Sequence, residues 1–277
     1  MDVIHTVSEL RRRLARESSI AFVPTMGNLH GGHLALVELA REHGTCIAAS
    51  IFVNRLQFEP GGDFDRYPRT LERDCALLEK AGCNVVFAPD EKEMYPTAQE
   101  IVVTPPRIAE QLCGSFRPGH FQGVATVVAK LFNIVRPHAA IFGKKDYQQL
   151  HVIRALVQQL NFGIEIVGAE TVREPDGVAM SSRNGYLSAE ERGEAVRLNR
   201  SLRRVQERIR EGARDFTALE NSAMDDLARH GWKPDYVSVR RREDLSTAGP
   251  QDRALVVLGA AWLGKTRLID NVEIDAS

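Results

Sequence analysis

Cysteine is scarce and unclustered: Cys46, Cys75, Cys83 and Cys113 form no C-x-x-C pair and stand near no histidines at zinc-finger spacing. That argues against a structural zinc site or a disulfide framework and reads as reduced, mostly buried thiols. Excess charge of either sign is missing too. Lys+Arg 36 against Asp+Glu 37 leaves a formal net charge of -1, so there is no global field to draw in nucleic acid or an anionic membrane, and neither is expected as a partner. No apolar run reaches the ~18 residues of a membrane span, and Met1 to His5 opens no basic segment followed by an apolar stretch, so the expected location is the cytoplasm. Internal repeats and low-complexity tracts are also absent. What is present is an ordinary globular mixture, 43% hydrophobic and 26% charged over 277 residues, enough to bury a core in one large α/β domain or two ordinary ones.

The apolar run Ile20 to Val23 leads through Pro24-Thr25-Met26-Gly27 to a helical pattern from His33 that stops at Gly44. The reading is strand, glycine-rich turn, helix. The alternation continues with a strand over 47–53, a helix over 70–81 and a strand over 85–88, then a helix over 124–135, a strand over 139–142, a helix over 147–160 and a strand over 164–167. Such alternation predicts a parallel sheet with crossover helices, a Rossmann-like doubly wound α/β domain over 1–184. Past Asn184 the texture changes. Ser188 and Glu191 are spaced as a capping box for a charged helix to about Arg210, and a second helix runs from Phe216 to His230. Strand-like stretches at 236–239, 254–258 and 268–274 complete a smaller α+β C-terminal domain, 185–277.

Three strings place phosphate-binding chemistry where strands or loops meet helices. In Met26-Gly27-Asn28-Leu29-His30-Gly31-Gly32-His33, free N–H groups, the positive helix end and two imidazoles can all donate to an anion. No carboxylate or third histidine adjoins the string, which makes a zinc reading poorer. Gly143-Lys144-Lys145-Asp146 follows a strand and opens a helix, so a lysine there can reach a terminal phosphate; Asp146 is either an N-cap or a carboxylate beside a metal. Lys144 is expected to point to solvent and Lys145 to phosphate. Met180-Ser181-Ser182-Arg183 brings hydroxyls and a guanidinium to a loop. Elsewhere, Asn54 and Gln57 in the string 52–58, and Gln149 one turn into the helix after Asp146, supply amides that can orient a small polar substrate.

Together with Tyr67-Pro68-Arg69-Thr70, Arg117-Pro118-Gly119-His120-Phe121, the strings 123–137 and 173–184, and Thr266-Arg267-Leu268-Ile269-Asp270-Asn271, these segments resemble the pantothenate synthetase (pantoate–β-alanine ligase) family almost end to end. That family lies in the nucleotidylyltransferase superfamily, and the paired-histidine and Ser-Ser-Arg strings are similar to the two signature motifs shared with class I aminoacyl-tRNA synthetases. The resemblance implies ATP- and Mg²⁺-dependent joining of pantoate to β-alanine through a pantoyl adenylate, with release of AMP and pyrophosphate, by a homodimer. It implies that 26–33, Gly143 to Asp146, Val172 and Met180 to Arg183 hold ATP, with His33, His30, Lys145 and Arg183 serving the chemistry. It further implies that Gln57 and Gln149 contact pantoate, that Asn54, Tyr67 and Arg117 line the cavity, and that Asp74 stands near the metal.

The chain departs from the family pattern at Arg55, where proline is common, and at Lys144, where glutamate is common. Two rival functions are a different adenylate-forming enzyme and a non-catalytic nucleotide sensor. Gln57 and Gln149 separate the first from the family, and Lys145 with the acceptor-site residues separates the second. A tRNA-charging synthetase is disfavoured by the short chain and the lack of a basic stripe.

Overall fold

The computed structural model describes residues 1–59, 61 and 64–276. In chain order the elements are β1 (Asp2–Ile4), α1 (Val7–Leu14), β2 (Ile20–Thr25), α2 (Gly31–Ala40), β3 (Cys46–Ile51), α3 (Leu71–Lys80), β4 (Val85–Phe87), α4 (Glu91–Met94), α5 (Cys113–Phe116), α6 (His120–Val135), β5 (Ala139–Gly143), α7 (Tyr147–Gln159) and β6 (Glu165–Ala169). They are followed by α8 (Ala189–Glu194), α9 (Val196–Arg210), α10 (Phe216–Arg229), β7 (Lys233–Arg241), β8 (Ala254–Leu263) and β9 (Thr266–Asp275).

The first six strands form one sheet in the order β1-β4-β3-β2-β5-β6, and every pair in it is parallel. Strands such as Ile20-Ala21-Phe22-Val23 are buried on both faces, as expected where helices cover both sides of a sheet. From β2 the chain steps outward through β3 to β4 and then returns to the other side of β2 as β5. The sheet therefore reverses its winding between β2 and β5, and ligands of such sheets bind outside the carboxyl ends at that point. The two strands also part company early. β2 matches β3 along its whole length, whereas it meets β5 only at Ala21↔Ala139 and Phe22↔Ala140. Pro24, which has no N–H to give a ladder, sits beyond that pairing, where one flank of β2 has lost its neighbour.

The later strands make a separate antiparallel sheet, β7-β8-β9. α9 and α10 pack their apolar stripes on it through Leu198, Leu202, Val205, Ile209 and Leu227. The charged helix read as continuous from Ser188 is in fact two, broken at Ala195. The break follows Glu194, whose carboxylate takes the Arg197 guanidinium and the Trp232 indole N–H. The capping box is present as expected, Ser188 N donating to Glu191 Oε2 at 2.8 Å and Glu191 N to Ser188 Oγ at 3.2 Å. The two sheets meet through side chains: Tyr236, Leu258 and Ile269 of the second pack against Ala109, Leu112, Phe121 and Tyr147 of the first part.

Candidate active site

The turn after β2 is shaped by a buried carboxylate. Gly27 and Asn28 have φ of 80° and 49°, and a Cβ on Gly27 would lie 3.0 Å from Asp74 Oδ2, so both conformation and space call for glycine there. Asp74 is 0% exposed and accepts from Asn28 N at 2.7 Å, Leu29 N at 2.9 Å and Thr70 Oγ1 at 3.0 Å. With three donors on a buried carboxylate, Asp74 pins the turn; it does not line the cavity.

α2 then starts with histidines where a serine or aspartate is usual. His30 Nδ1 accepts from Gly32 N at 3.1 Å, and His33 Nδ1 accepts from His30 N at 3.4 Å; the ring centroids are 4.1 Å apart. A backbone N–H can only donate, so each neutral ring carries its proton on Nε2. Burial pushes His30 down to about 4 and His33 to about 3, with the Lys145 charge adding to both and His30 adding to His33. At neutral pH both rings are uncharged N–H donors. NMR titration of the histidine C2 protons in the free protein is expected to leave both unchanged from pH 8 to pH 5. A midpoint near 6.5 for either would contradict the assignment. The same shifts bear on stability. The unfolded rings bind protons below about 6.5 and the folded ones only near 4 and 3, so stability is fully present above 6.5 and is lost as pH falls from there toward 4 and 3.

The opposite wall comes from the end of β5. Lys145 points to the cavity with Nζ 3.6 Å from Asp146 Oδ2. Burial alone would raise the Asp146 carboxyl, but Lys145 and Arg183 together hold it below the usual carboxylate range. Lys144, expected at solvent, does not line the cavity and pairs instead with Glu170 and, at 3.2 Å, with Glu273 of β9. Of two adjacent lysines in a tight turn, one is thus held in ion pairs and the other lines the cavity. The Ser181–Arg183 loop closes the third side, tied to the histidine turn by Ser182 Oγ donating to Asn28 O at 3.3 Å.

Deeper in, Asn54 is 1% exposed. Its Oδ1 accepts from Leu56 N at 3.3 Å and Tyr95 Oη at 2.7 Å, and its Nδ2 donates to Gly123 O at 3.2 Å and Gln57 Oε1 at 3.0 Å. Those backbone partners fix the orientation of both amides and leave Gln57 Nε2 facing Met26 Sδ at 3.1 Å. Gly123 is required here, since a Cβ would fall 2.1 Å from Leu56 O. Arg55 does not spoil the turn; it lies outside, on Glu91 at 3.0 Å and over the Phe64 ring at 4.0 Å. The guanidinium of Arg117 is held by Gln57 O at 3.4 Å and His120 Nε2 at 3.1 Å, with no carboxylate at ion-pair distance among the described residues. The resulting cavity, about 230 Å³, has a polar rim and an apolar wall of Val124, Val127, Val128 and Leu131. It shares Arg117, Lys145 and Arg183 with an adjoining cleft of about 870 Å³ between the two sheets.

The match to known proteins is as extensive as the geometry is specific. The model of the family described as pantoate-beta-alanine ligase matches residues 2–273. The chain belongs to this family. It is 62% identical over 274 residues to the pantothenate synthetase of Nitrosospira multiformis, covering 99% of this chain and 98% of that one. It is 58% identical to that of Thiobacillus denitrificans, with 100% and 98% covered. Among solved structures, pantothenate synthetase from Thermus thermophilus superposes with a TM-score of 0.94 at 46% identity, covering 99% of each chain. Pantoate-beta-alanine ligase from Francisella tularensis, complexed with beta-gamma ATP and beta-alanine, does so at 0.84 and 31%, covering 99% of this chain and 97% of that one.

Of the positions that the ligase resemblance picks out, Met26, His30, Gly32, His33, Gly143, Lys145, Asp146, Val172, Met180, Ser181, Ser182 and Arg183 line the cavity, as do Asn54, Gln57, Tyr67, Arg117 and Gln149. Gly27, Asn28, Leu29, Gly31 and Lys144 are not among the residues that line it. His120, which the sequence offers only as part of the string 117–121, also faces the cavity. Its Nδ1 donates to Gln57 O at 2.9 Å, leaving Nε2 as acceptor for Arg117, and burial, then the Arg117 charge, press it to about 3. Its spacing from Arg117 looks like one turn of a solvated helix; only the contact with Gln57, distant in sequence, reveals the role.

Proposed function

We propose that this protein joins pantoate to β-alanine at the expense of ATP, through a pantoyl adenylate, releasing AMP and pyrophosphate. The observation that carries the reading is the convergence of two neutral Nε2–H donors, Lys145 and Arg183 on one cavity whose inner end holds two oriented amides and an apolar wall. A carboxylate expels oxide poorly, whereas its mixed anhydride with AMP expels a stabilised phosphate, so activation comes first. As the pantoate carboxylate attacks the α-phosphorus in line, charge grows on the departing pyrophosphate, where fixed donors and cations stabilise it. His33 acts as a hydrogen-bond donor. A carboxylate nucleophile has no proton to remove, and in the free protein the ring is uncharged at neutral pH.

Gln57, set by Asn54, and Gln149 orient pantoate, with its methyl groups on the valine wall, while Arg117 offers its guanidinium to a substrate carboxylate. The amine of β-alanine, like that of lysine, is mostly protonated at pH 7, so a proton leaves before or during attack. Mg²⁺ fits as an ion carried chiefly by the triphosphate: no group of three metal-binding side chains exists among the described residues. Asp146 is the protein oxygen placed to meet such an ion, which would offset charge on the phosphates. The boundary at 184/185, a lid role for 185–277, a homodimer and a cytoplasmic location complete the proposal. No helix among the described residues is long and apolar enough to cross a membrane.

The test is exchange of pyrophosphate into ATP with Mg²⁺ and no β-alanine, comparing no acid, pantoate and a panel of other carboxylic acids. Exchange that requires pantoate is expected. Exchange with another acid alone would overturn the substrate, and none with any acid would leave a nucleotide sensor.

A further inference from the structure

The string Thr266–Asn271 contributed to the resemblance and lines the cleft that adjoins the cavity. Asn271, on β9 and 6% exposed, donates from Nδ2 to two successive backbone carbonyls, Lys144 O at 2.8 Å and Lys145 O at 3.0 Å. Both partners can only accept, so the orientation of the amide is unambiguous. Asn271 is itself held. Its N–H donates to Asp270 Oδ1 at 2.7 Å and its carbonyl accepts from Arg173 Nη2 at 3.2 Å. Asp270, 4% exposed, takes both Arg173 nitrogens at 2.8 and 2.9 Å and Asn199 Nδ2 at 2.8 Å.

We propose that Asn271 is a positioning residue for Lys145: the C-terminal sheet fixes the turn from which that lysine faces the phosphates. The cross-strand placement matters because the turn comes off the end of β5 just where β5 has no β2 beside it. β6 still holds one flank of β5 as far as Gly143↔Ala169; past that strand end, the turn itself is anchored from β9. The C-terminal unit then takes part in adenylate formation itself, in addition to any covering role. The inference rests on the assignment of Lys145 to phosphate.

The experiment measures pantoate-dependent exchange and thermal midpoint for the wild type, Lys145→Ala, Asn271→Ala and the double variant. Two lost hydrogen bonds at a preorganised cation are expected to lower the exchange kcat by about ten- to thirty-fold, with a smaller change in the KM for ATP. In the Lys145→Ala background the same substitution is expected to cost less than about two-fold, because residues acting through one another are not additive. Asn271→Asp, which turns an oxygen toward the two carbonyls, is expected to lose more than Asn271→Ala. Asn271→Ser, too short to reach both, covers the case in which the alanine variant does not fold, and is expected to show the same loss and the same non-additivity. Wild-type exchange in these variants, or a full loss repeated on top of Lys145→Ala, overturns the inference while leaving Lys145 in place. Unimpaired exchange in Lys145→Ala overturns both.

Discussion

Replacing Lys145 by alanine is expected to slow pantoate-dependent exchange by about 10²- to 10³-fold, the scale of losing one preorganised stabiliser of developing charge. Lys144→Ala is expected to slow it by less than about three-fold. The two residues are adjacent in one tight turn, Lys144–Asp146, where successive side chains diverge by about a third of a revolution. Lys145 therefore faces the histidines across the cavity, close enough to lower both of them. Lys144 faces the other way, into Glu170 and Glu273, and the latter also takes the Tyr147 hydroxyl at 2.6 Å. A partly exposed pair of that kind contributes little. Steady-state exchange at saturating ATP and pantoate checks the comparison, and a larger loss at Lys144 would reverse the assignment.

Asp74→Asn is expected to destabilise the protein by about 3 kcal/mol, because at least one buried backbone N–H of the turn then meets an amide nitrogen in place of an acceptor. For a chain of this size that lowers Tm by about 10 °C. Exchange falls with it, since the same turn carries His30. The Mg²⁺ concentration for half-maximal exchange should stay where it was. A metal ligand would give the opposite pattern, with the Mg²⁺ requirement raised and the melting curve unmoved, so thermal unfolding alongside a Mg²⁺ titration separates the two roles.

The doubly wound order was legible because a parallel strand covered on both faces is a short unbroken apolar run, and 20–23, 85–88 and 139–142 are such runs. β1 has only three residues and shows no pattern. α1 is short, its signals being the apolar spacing Val7, Leu10, Leu14 and the cap Thr6, whose side chain accepts from Glu9 N at 3.3 Å. The end of the cavity proposed for ATP was legible for a related reason: strand, glycine and donor are neighbours in sequence. What stayed hidden depends on partners far along the chain. Two adjacent lysines look alike until Glu170 and Glu273 are seen, the hold of Asp74 on the turn shows only when its three donors are counted, and His120 acquires a task only when Gln57 is folded against it.

The start of α2 is an unusual piece of economy, since each imidazole there faces two ways, its Nδ1 closing the helix end and its Nε2 serving the cavity. A serine cap can be lost from a helix and leave a distant site intact. Here fraying of the first turn and disarming of the proposed nucleotide site are a single event, and on that proposal the reverse also holds: a triphosphate that engages both rings splints the helix from outside, so that occupancy of the site and order in the residues following β2 rise and fall together.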